Sequence, residues 1–454
     1  MLTQLRESLG EQAVVTDPAV LADRSHDRSG SPAVGAPLAV VRPRSTDQVS
    51  LVMRLAHAHD VPVVPQGALT GLAGGANAVP GAILLDLTAM DQILRIDPID
   101  LAAVVQPGVI TADLAAAAAE QDLFYAPDPA SAAESTVGGN VATNAGGMRC
   151  VKYGVTRDAV RSLEVVLANG DVIRTSPPTV KAVGGLDLTS LLVGSEGTLG
   201  VITEITVGLL PAPGPVRGIT AGFSSSKAAL DAANQIMAGP HRPSTLEFMD
   251  EVVIGATLAY DPDAGLPTDA KAWLLVLTDA RTAAADDIAS YVDVVRRHGA
   301  VRVDVADDPE RVAELLRARR VLNPAMHALR GDSLNEDVAV PRGRLFDLLV
   351  RLAELSDQVG LPIGTAGHVG DGNLHPVICF DPDDPDQVRT AHRTHELVLG
   401  LANELGGTVT GEHGIGLEKL SAVDAELGPR LRGLPRGIKD VLDPTGVLNP
   451  GKKL

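Results

Sequence analysis

A chain of 454 residues is longer than one ordinary hydrophobic core supports, so two domains, or one domain with a substantial second lobe, are expected. Its formal charge of −19 at pH 7 argues against a nucleic-acid partner, because phosphate contacts need clustered Lys and Arg. The two cysteines, Cys150 and Cys379, exclude both a disulfide scaffold and an iron–sulfur cluster held by four thiolates of this chain, so any electrons the protein gathered would have to leave through another molecule.

Aromatic residues make up only 2% of the chain, so core volume must come from Ala, Val and Leu. The N-terminus lacks a basic region followed by an apolar stretch, and no apolar run approaches the roughly 18 residues of a membrane helix. A cytoplasmic protein is expected, with peripheral attachment to a membrane allowed.

Residues 1–37 read as an N-terminal helical segment. From Leu38 helices alternate with short strands. Ser45, Thr46, Asp47 and Gln48 have the form of a capping box, and Val49, Val52, Leu55 and Ala56 follow at helical spacing. Residues 61–65 predict a strand running into a glycine-rich turn, with further strands at 82–87, 102–106, 162–167, 171–174 and 200–208 and an Ala-rich helix over 114–121. Pro211, Pro213 and Pro215 enclose the strongest punctuation in the chain, which divides it into domains 38–212 and 213–454. Beyond it an α+β region carries a strand at 273–277 and helices at 283–297, 309–320 and 345–360. The tail 443–454 consists of turn and loop residues and is expected to return toward a ligand.

Three segments of the first half, 66–75, 136–147 and 194–200, combine glycine with small hydroxyl and amide residues. Glycine lets backbone N–H groups approach an anion closely, as a phosphate cradle requires, although glycine clusters also serve simply as turns. No G-x-x-x-x-G-K-[ST] occurs, and no strand leads into a well-formed G-x-G-x-x-G with a ribose-binding acid behind it. In the second half, His368 and His375 flank a loop with two glycines and Asp371, and Glu412 and His413 form an adjacent dyad. Two neutral imidazoles and one carboxylate make a three-ligand set with an open position, suited to Zn²⁺ and compatible with Mn²⁺ or Fe²⁺.

Residues 65–75, Pro127, Asp128 and Pro129 with 136–147, Lys152-Tyr153-Gly154, 194–200 and the terminal Asn449-Pro450-Gly451-Lys452 together resemble the vanillyl-alcohol-oxidase superfamily of PCMH-type FAD flavoproteins. Within it they are most similar to the branch of D-lactate dehydrogenase, the glycolate oxidase subunit and D-2-hydroxyglutarate dehydrogenase. The resemblance covers nearly the whole chain in order. One departure is Ala68, where the family commonly has a third glycine.

The resemblance implies an α+β fold, a two-subdomain FAD-binding domain followed by an α+β substrate domain. The FAD contacts it implies are Pro65, Gly67, Thr70, Gly71, Leu72, Pro127, Asp128, Thr136, Gly138, Gly139, Asn140, Thr143, Asn144, Gly146, Glu196, Gly200, Ile202 and Asn449. The first glycine loop would cradle the pyrophosphate and the later ones would line the isoalloxazine. Neither of the first two loops holds a histidine, so non-covalent FAD is expected, with Cys150 the one residue left open.

The family motifs also assign His368, His375 and Glu412 as ligands of a divalent metal, Zn favoured, His413 as the base, and Arg319 and Asn373 to the substrate. The implied reaction is oxidation of a small D-2-hydroxy acid, D-lactate or glycolate favoured, by hydride transfer to flavin N5. Asn335 stands where the hydroxyglutarate enzymes have a lysine for a second carboxylate, which weakens a dicarboxylate substrate. The external electron acceptor would be a quinone, a cytochrome or an electron-transfer flavoprotein. A homodimer and a place in a multisubunit oxidase are allowed. A flavin-free metallohydrolase would use the His/His/Glu set but leaves the three glycine segments unexplained.

Overall fold

The computed structural model describes residues 1–454. Two compact units divide the chain, one formed by residues 1–147, 154–212 and 412–454, the other by residues 148–153 and 213–411. One division falls between Ala212 and Pro213, inside the proline-rich punctuation. The first unit, however, takes back the chain from Glu412, well before the 443–454 tail. The cause is local. The buried Glu196 carboxylate accepts the N–H groups of Ile415 and Gly416 at 2.9 and 2.8 Å, and the N–H of Leu417 bonds to the Ala73 carbonyl.

Residues 1–37 are only partly helical. Helices Leu2–Leu9 and Pro18–Asp23 flank a short strand, Val14–Val15, which pairs antiparallel with Ala39–Val41. Ala39–Val41 then lies parallel to Ile83–Asp86, which lies parallel to Val63–Gln66. Strands with all residues or nearly all residues buried, as Ala39–Val41 and Ile83–Asp86 have, fit a sheet covered on both faces.

The second sheet of this unit is antiparallel, in the order Ile93–Asp97, Ala102–Val105, Val201–Gly208, Val160–Val166, Val172–Arg174. Helix Thr46–Ala58 starts where the capping residue predicts, with Ser45 Oγ accepting the Gln48 N–H at 3.4 Å. The return bond of the box is displaced by one residue, since Gln48 Oε1 accepts from the N–H of Arg44.

The second unit is built on one antiparallel sheet in the order Arg302–Ala306, Arg217–Phe223, Ala272–Thr278, Thr245–Asp250, Ile363–His368, Asn373–Phe380, Asp332–Asn335, with Val338–Ala339 also paired to Asn373–Phe380. Trp273, 2% exposed, is the largest side chain of a core cluster otherwise built from Ala, Val, Leu, Ile, Met and Cys.

The single helix expected over 309–320 is instead two, Pro309–Leu315 and Arg317–Arg330. The second continues past 320 because Ala318, Leu322, Ala325 and Met326 form a buried stripe at helical spacing, and it ends at Gly331 with φ 99°. No helix of the chain is long and apolar enough to cross a membrane.

Candidate active site

The glycine segments converge within the first unit on a cleft of about 370 Å³. Pro65, Gly67, Thr70, Gly71, Leu72, Thr136, Gly139, Asn140, Thr143, Gly146 and Glu196 line it. A smaller hollow is lined by Gly138, Gly200 and Ile202 together with Gly67 and Gly139. The backbone N–H groups from Ala68 to Ala76 donate to no protein acceptor, so an unbroken run of donors is left along the first loop, the requirement of a pyrophosphate cradle.

Space explains the glycines. A Cβ on Gly67 would lie 2.6 Å from Thr136 Oγ1, and one on Gly138 would lie 2.5 Å from Pro107 Cβ and 2.8 Å from the Pro107 carbonyl oxygen. The donor run, the cleft and the closed-in glycines fit a dinucleotide. Gly138→Ala is therefore expected to cost about 1–3 kcal/mol through overpacking and to lower FAD content. Thermal melting and flavin absorbance check this, and an unchanged melting temperature would remove the packing argument.

Four residues assigned to the cofactor line neither hollow. Asp128 packs its backbone against Gly147, whose missing Cβ leaves room for it. Asn144 closes helix Val137–Thr143 in the left-handed region at φ 56°, and its Oδ1 accepts the N–H of Arg157. Asn449 donates through Nδ2 to the carbonyls of Gly75 and Glu196, so it braces the cleft walls. Pro127 is the fourth.

Sequence reasoning missed Lys452. This residue is 1% exposed, and its Nζ donates to the carbonyls of Gly75 and Asn77 and to Asn449 Oδ1. Burial pushes its ammonium down to about 8, against the opposing pull of Asp27 and Glu196. The tail thus lies as a brace against the end of the first glycine loop.

Glu412 and His413 also line the large cleft, with His413 Nε2 3.9 Å from Glu412 Oε1. The Glu412 carboxylate occupies the space that a Cβ on Gly146 would take, which accounts for that glycine.

The remaining assigned residues gather in the second unit. His368 and His375 sit on paired strands on either side of the glycine-containing segment, which forms a tight turn. Ala366 pairs with His375, so His368 and His375 are diagonal neighbours on one face, with ring centroids 5.3 Å apart. A ring nitrogen of each lies within 4.8 Å of one on the other.

His375 Nδ1 is 3.1 Å from the Glu336 carbonyl oxygen, which can only accept, so Nδ1 carries the proton and Nε2 the lone pair. His368 Nδ1 is 2.5 Å from Glu247 Oε1, with the same consequence. Imidazoles anchored in this way through Nδ1 are suited to hold a metal through Nε2.

Glu247 carried no motif. It is fully buried on strand Thr245–Asp250, and its second oxygen, Oε2, accepts from Arg319 Nε at 2.9 Å. Burial alone would raise its carboxyl, yet the N–H of His368 and the guanidinium of Arg319 beside it hold it below the ordinary carboxylate range. Among the neighbouring arginines, Arg317 is committed through two bonds to Asp261, whereas Arg319 spends only Nε on Glu247.

Asp337 was also missed. It is fully buried, accepts from Asn373 Nδ2 and Thr410 Oγ1, and has a carboxylate oxygen within 4.8 Å of a His375 nitrogen. Asn373 gives its second amide hydrogen to the Val338 carbonyl, so only its Oδ1 remains for a substrate.

Residues 213–453 match the family described as FAD linked oxidases, C-terminal domain, and residues 37–176 match the FAD binding domain. The chain belongs to the FAD-linked oxidases. This FAD-linked oxidase is 40% identical over 417 residues to the glycolate oxidase subunit GlcD of Bacillus subtilis, covering 92% of this chain and 88% of that protein. It is 35% identical to the D-lactate dehydrogenase of Anaerostipes hadrus, covering 100% and 96%.

Among solved structures, p-cresol methylhydroxylase superposes with a TM-score of 0.81 at 20% identity, covering 99% of this chain and 95% of that one. A 4-ethylphenol oxidase from Gulosibacter chungangensis gives 0.76 at 18% identity, covering 99% and 96%. These two define the fold alone, the two-domain PCMH-type FAD fold with mixed helices and sheets. The FAD-linked oxidase is thus an FAD-dependent oxidoreductase.

Proposed function

We propose that the protein oxidises a small D-2-hydroxy acid such as D-lactate, or glycolate, to its 2-keto acid, with a divalent ion held by His368, His375 and Glu412, zinc first and manganese or iron next. The observation that carries this reading is the pair of imidazoles whose Nδ1 atoms are both bonded inward, with Arg319 on the same buried carboxylate as one of them. The relatives' names, glycolate oxidase subunit and D-lactate dehydrogenase, supply the substrate class.

When bound, FAD supplies the hydride acceptor and the divalent ion a Lewis acid toward the substrate oxygens. Arg319 holds the substrate carboxylate through its terminal nitrogens, as a planar guanidinium does best. His413 accepts the hydroxyl proton while the Cα–H bond is broken, so two electrons and two hydrogens leave the hydroxy acid. Asn373 contributes its Oδ1. A groove further along the same helix is lined by Asn323, His327, Ser333 and Asn335, with no Lys or Arg, which favours a monocarboxylate over a dicarboxylate. The electrons pass on to an external quinone, cytochrome or electron-transfer flavoprotein.

Anaerobic mixing with a panel of D- and L-2-hydroxy acids tests the reading by bleaching of the flavin. Reduction by D-lactate or glycolate is expected, and a panel that leaves the flavin oxidised throughout overturns it. Acid precipitation is further expected to release FAD into the supernatant. Flavin that stays with the polypeptide would point to covalent attachment and direct attention to Cys150, the residue that the sequence left open.

A further inference from the structure

Glu247 stands at the centre of the second unit's functional cluster by strand register. It lies directly opposite His368 across an antiparallel pair, and directly opposed residues project from the same face. The two oxygens of its carboxylate are divided between two donors, His368 Nδ1 and Arg319 Nε. His368 is 5% exposed and Glu247 is fully buried, so water does not substitute for either partner. A residue needed only to neutralise a buried arginine would have no reason to share its carboxylate with the imidazole.

We propose that Glu247 is a positioning residue which fixes, through one carboxylate, both the metal-ligating tautomer of His368 and the direction of the Arg319 guanidinium. This rests on the assignment of His368 to the metal and Arg319 to the substrate made above. Both partners present N–H groups, and both require an acceptor. A carboxylate meets both demands, whereas a glutamine has one acceptor oxygen and one amino group. In Glu247→Gln, oxygen toward Arg319 places the amino group against His368, which then accepts at Nδ1 and carries its proton on Nε2, the nitrogen meant for the metal. Oxygen toward His368 preserves the tautomer but turns the amino group against Arg319.

The test uses FAD-loaded protein, with zinc affinity measured by competition against a chromophoric chelator, KM and kcat measured with D-lactate or glycolate, and the His368 tautomer read by ¹⁵N-histidine NMR in chelator-treated samples. Wild type is expected to show His368 protonated on Nδ1. Glu247→Gln is expected to bind zinc about 10–100-fold more weakly, the usual effect of losing a carboxylate behind a ligating histidine, or to keep zinc and raise KM, according to which partner the amide oxygen takes. Arg319→Ala is expected to raise KM while retaining the wild-type tautomer and zinc affinity.

Wild-type zinc affinity together with wild-type KM in Glu247→Gln overturns the positioning role and leaves the metal and substrate assignments standing. An Nε2-protonated His368 in the wild type overturns the role without any variant, so the test survives a Glu247→Gln that fails to fold. Absence of zinc, manganese or iron binding by wild type, or an unchanged KM in Arg319→Ala, overturns the assignments beneath it as well.

Discussion

Replacing His413 by Asn is expected to leave FAD and metal content at wild-type levels while slowing substrate-driven flavin reduction by about 10²–10⁴-fold, the range for loss of a general base. The argument begins with position. His413 lines the cleft of the glycine loops, next in sequence to Glu412, whose carboxylate packs on Gly146. The segment behind both is pinned by Glu196, which accepts the N–H groups of Ile415 and Gly416. A substitution at His413 therefore removes an imidazole without unfastening the loop. Asparagine keeps a polar group of comparable reach but cannot take a proton near neutral pH. Higher pH should partly restore the rate, since hydroxide then competes for the hydroxyl proton. Stopped-flow absorbance with saturating substrate, paired with metal analysis, checks both parts. Loss of metal from the Asn variant would make His413 a ligand, and a wild-type reduction rate would deny it the proton.

The elements most legible in the sequence were those with a strong local period. The expected strands at 82–87, 102–106 and 200–208 correspond to Ile83–Asp86, Ala102–Val105 and Val201–Gly208, because apolar runs bounded by turn residues carry their own limits. The convergence of the glycine segments on one cleft was legible for a similar reason, since glycine density marks close backbone approach.

What the sequence concealed was set by distant partners. Glu247 lies 121 residues from His368 and 72 from Arg319, with nothing around it to distinguish it from any strand glutamate. The return of the chain from Glu412 to the first unit depends on bonds to Glu196, more than two hundred residues earlier. The hairpin carrying His368 and His375 was masked by its own turn, because Gly370, Asp371 and Gly372 read as a loop while the register that places both imidazoles on one face lies in the flanking strands. Helix Arg317–Arg330 also runs on through a proline, Pro324, where the buried stripe from Ala318 to Met326 outweighs the lost backbone hydrogen bond.

Chelation of the metal is expected to abolish substrate-driven flavin reduction while leaving FAD bound, and His375→Ala is expected to do the same. The two outcomes separate because two of the three ligands, His368 and His375, belong to a different part of the chain from the loops assigned to FAD. The donor run from Ala68 to Ala76 and the glycine-lined cleft belong to the first unit, whereas His368 and His375 are held by the sheet of the second. Within that sheet His375 is anchored at Nδ1 by the Glu336 carbonyl, and Glu336 is itself buried and bonded through Oε1 to His395 Nδ1 at 2.6 Å. Truncation to alanine removes the ring together with its bond to the Glu336 carbonyl, while Glu336 keeps its own bond to His395. A binding defect is thereby distinguished from unfolding, provided that the melting temperature and flavin content stay near wild type. His375→Gln serves as a second variant should alanine leave too large a void. Without a Lewis acid the substrate hydroxyl keeps a pKa far above neutral, and Arg319 alone orients only the carboxylate. Re-addition of zinc, manganese or iron to the chelated wild type should restore reduction, and the ion that does so most fully identifies the native metal. Full reduction of a flavin-loaded, metal-free sample would instead leave proton removal to His413 alone and reduce the two imidazoles to a structural pair on the sheet.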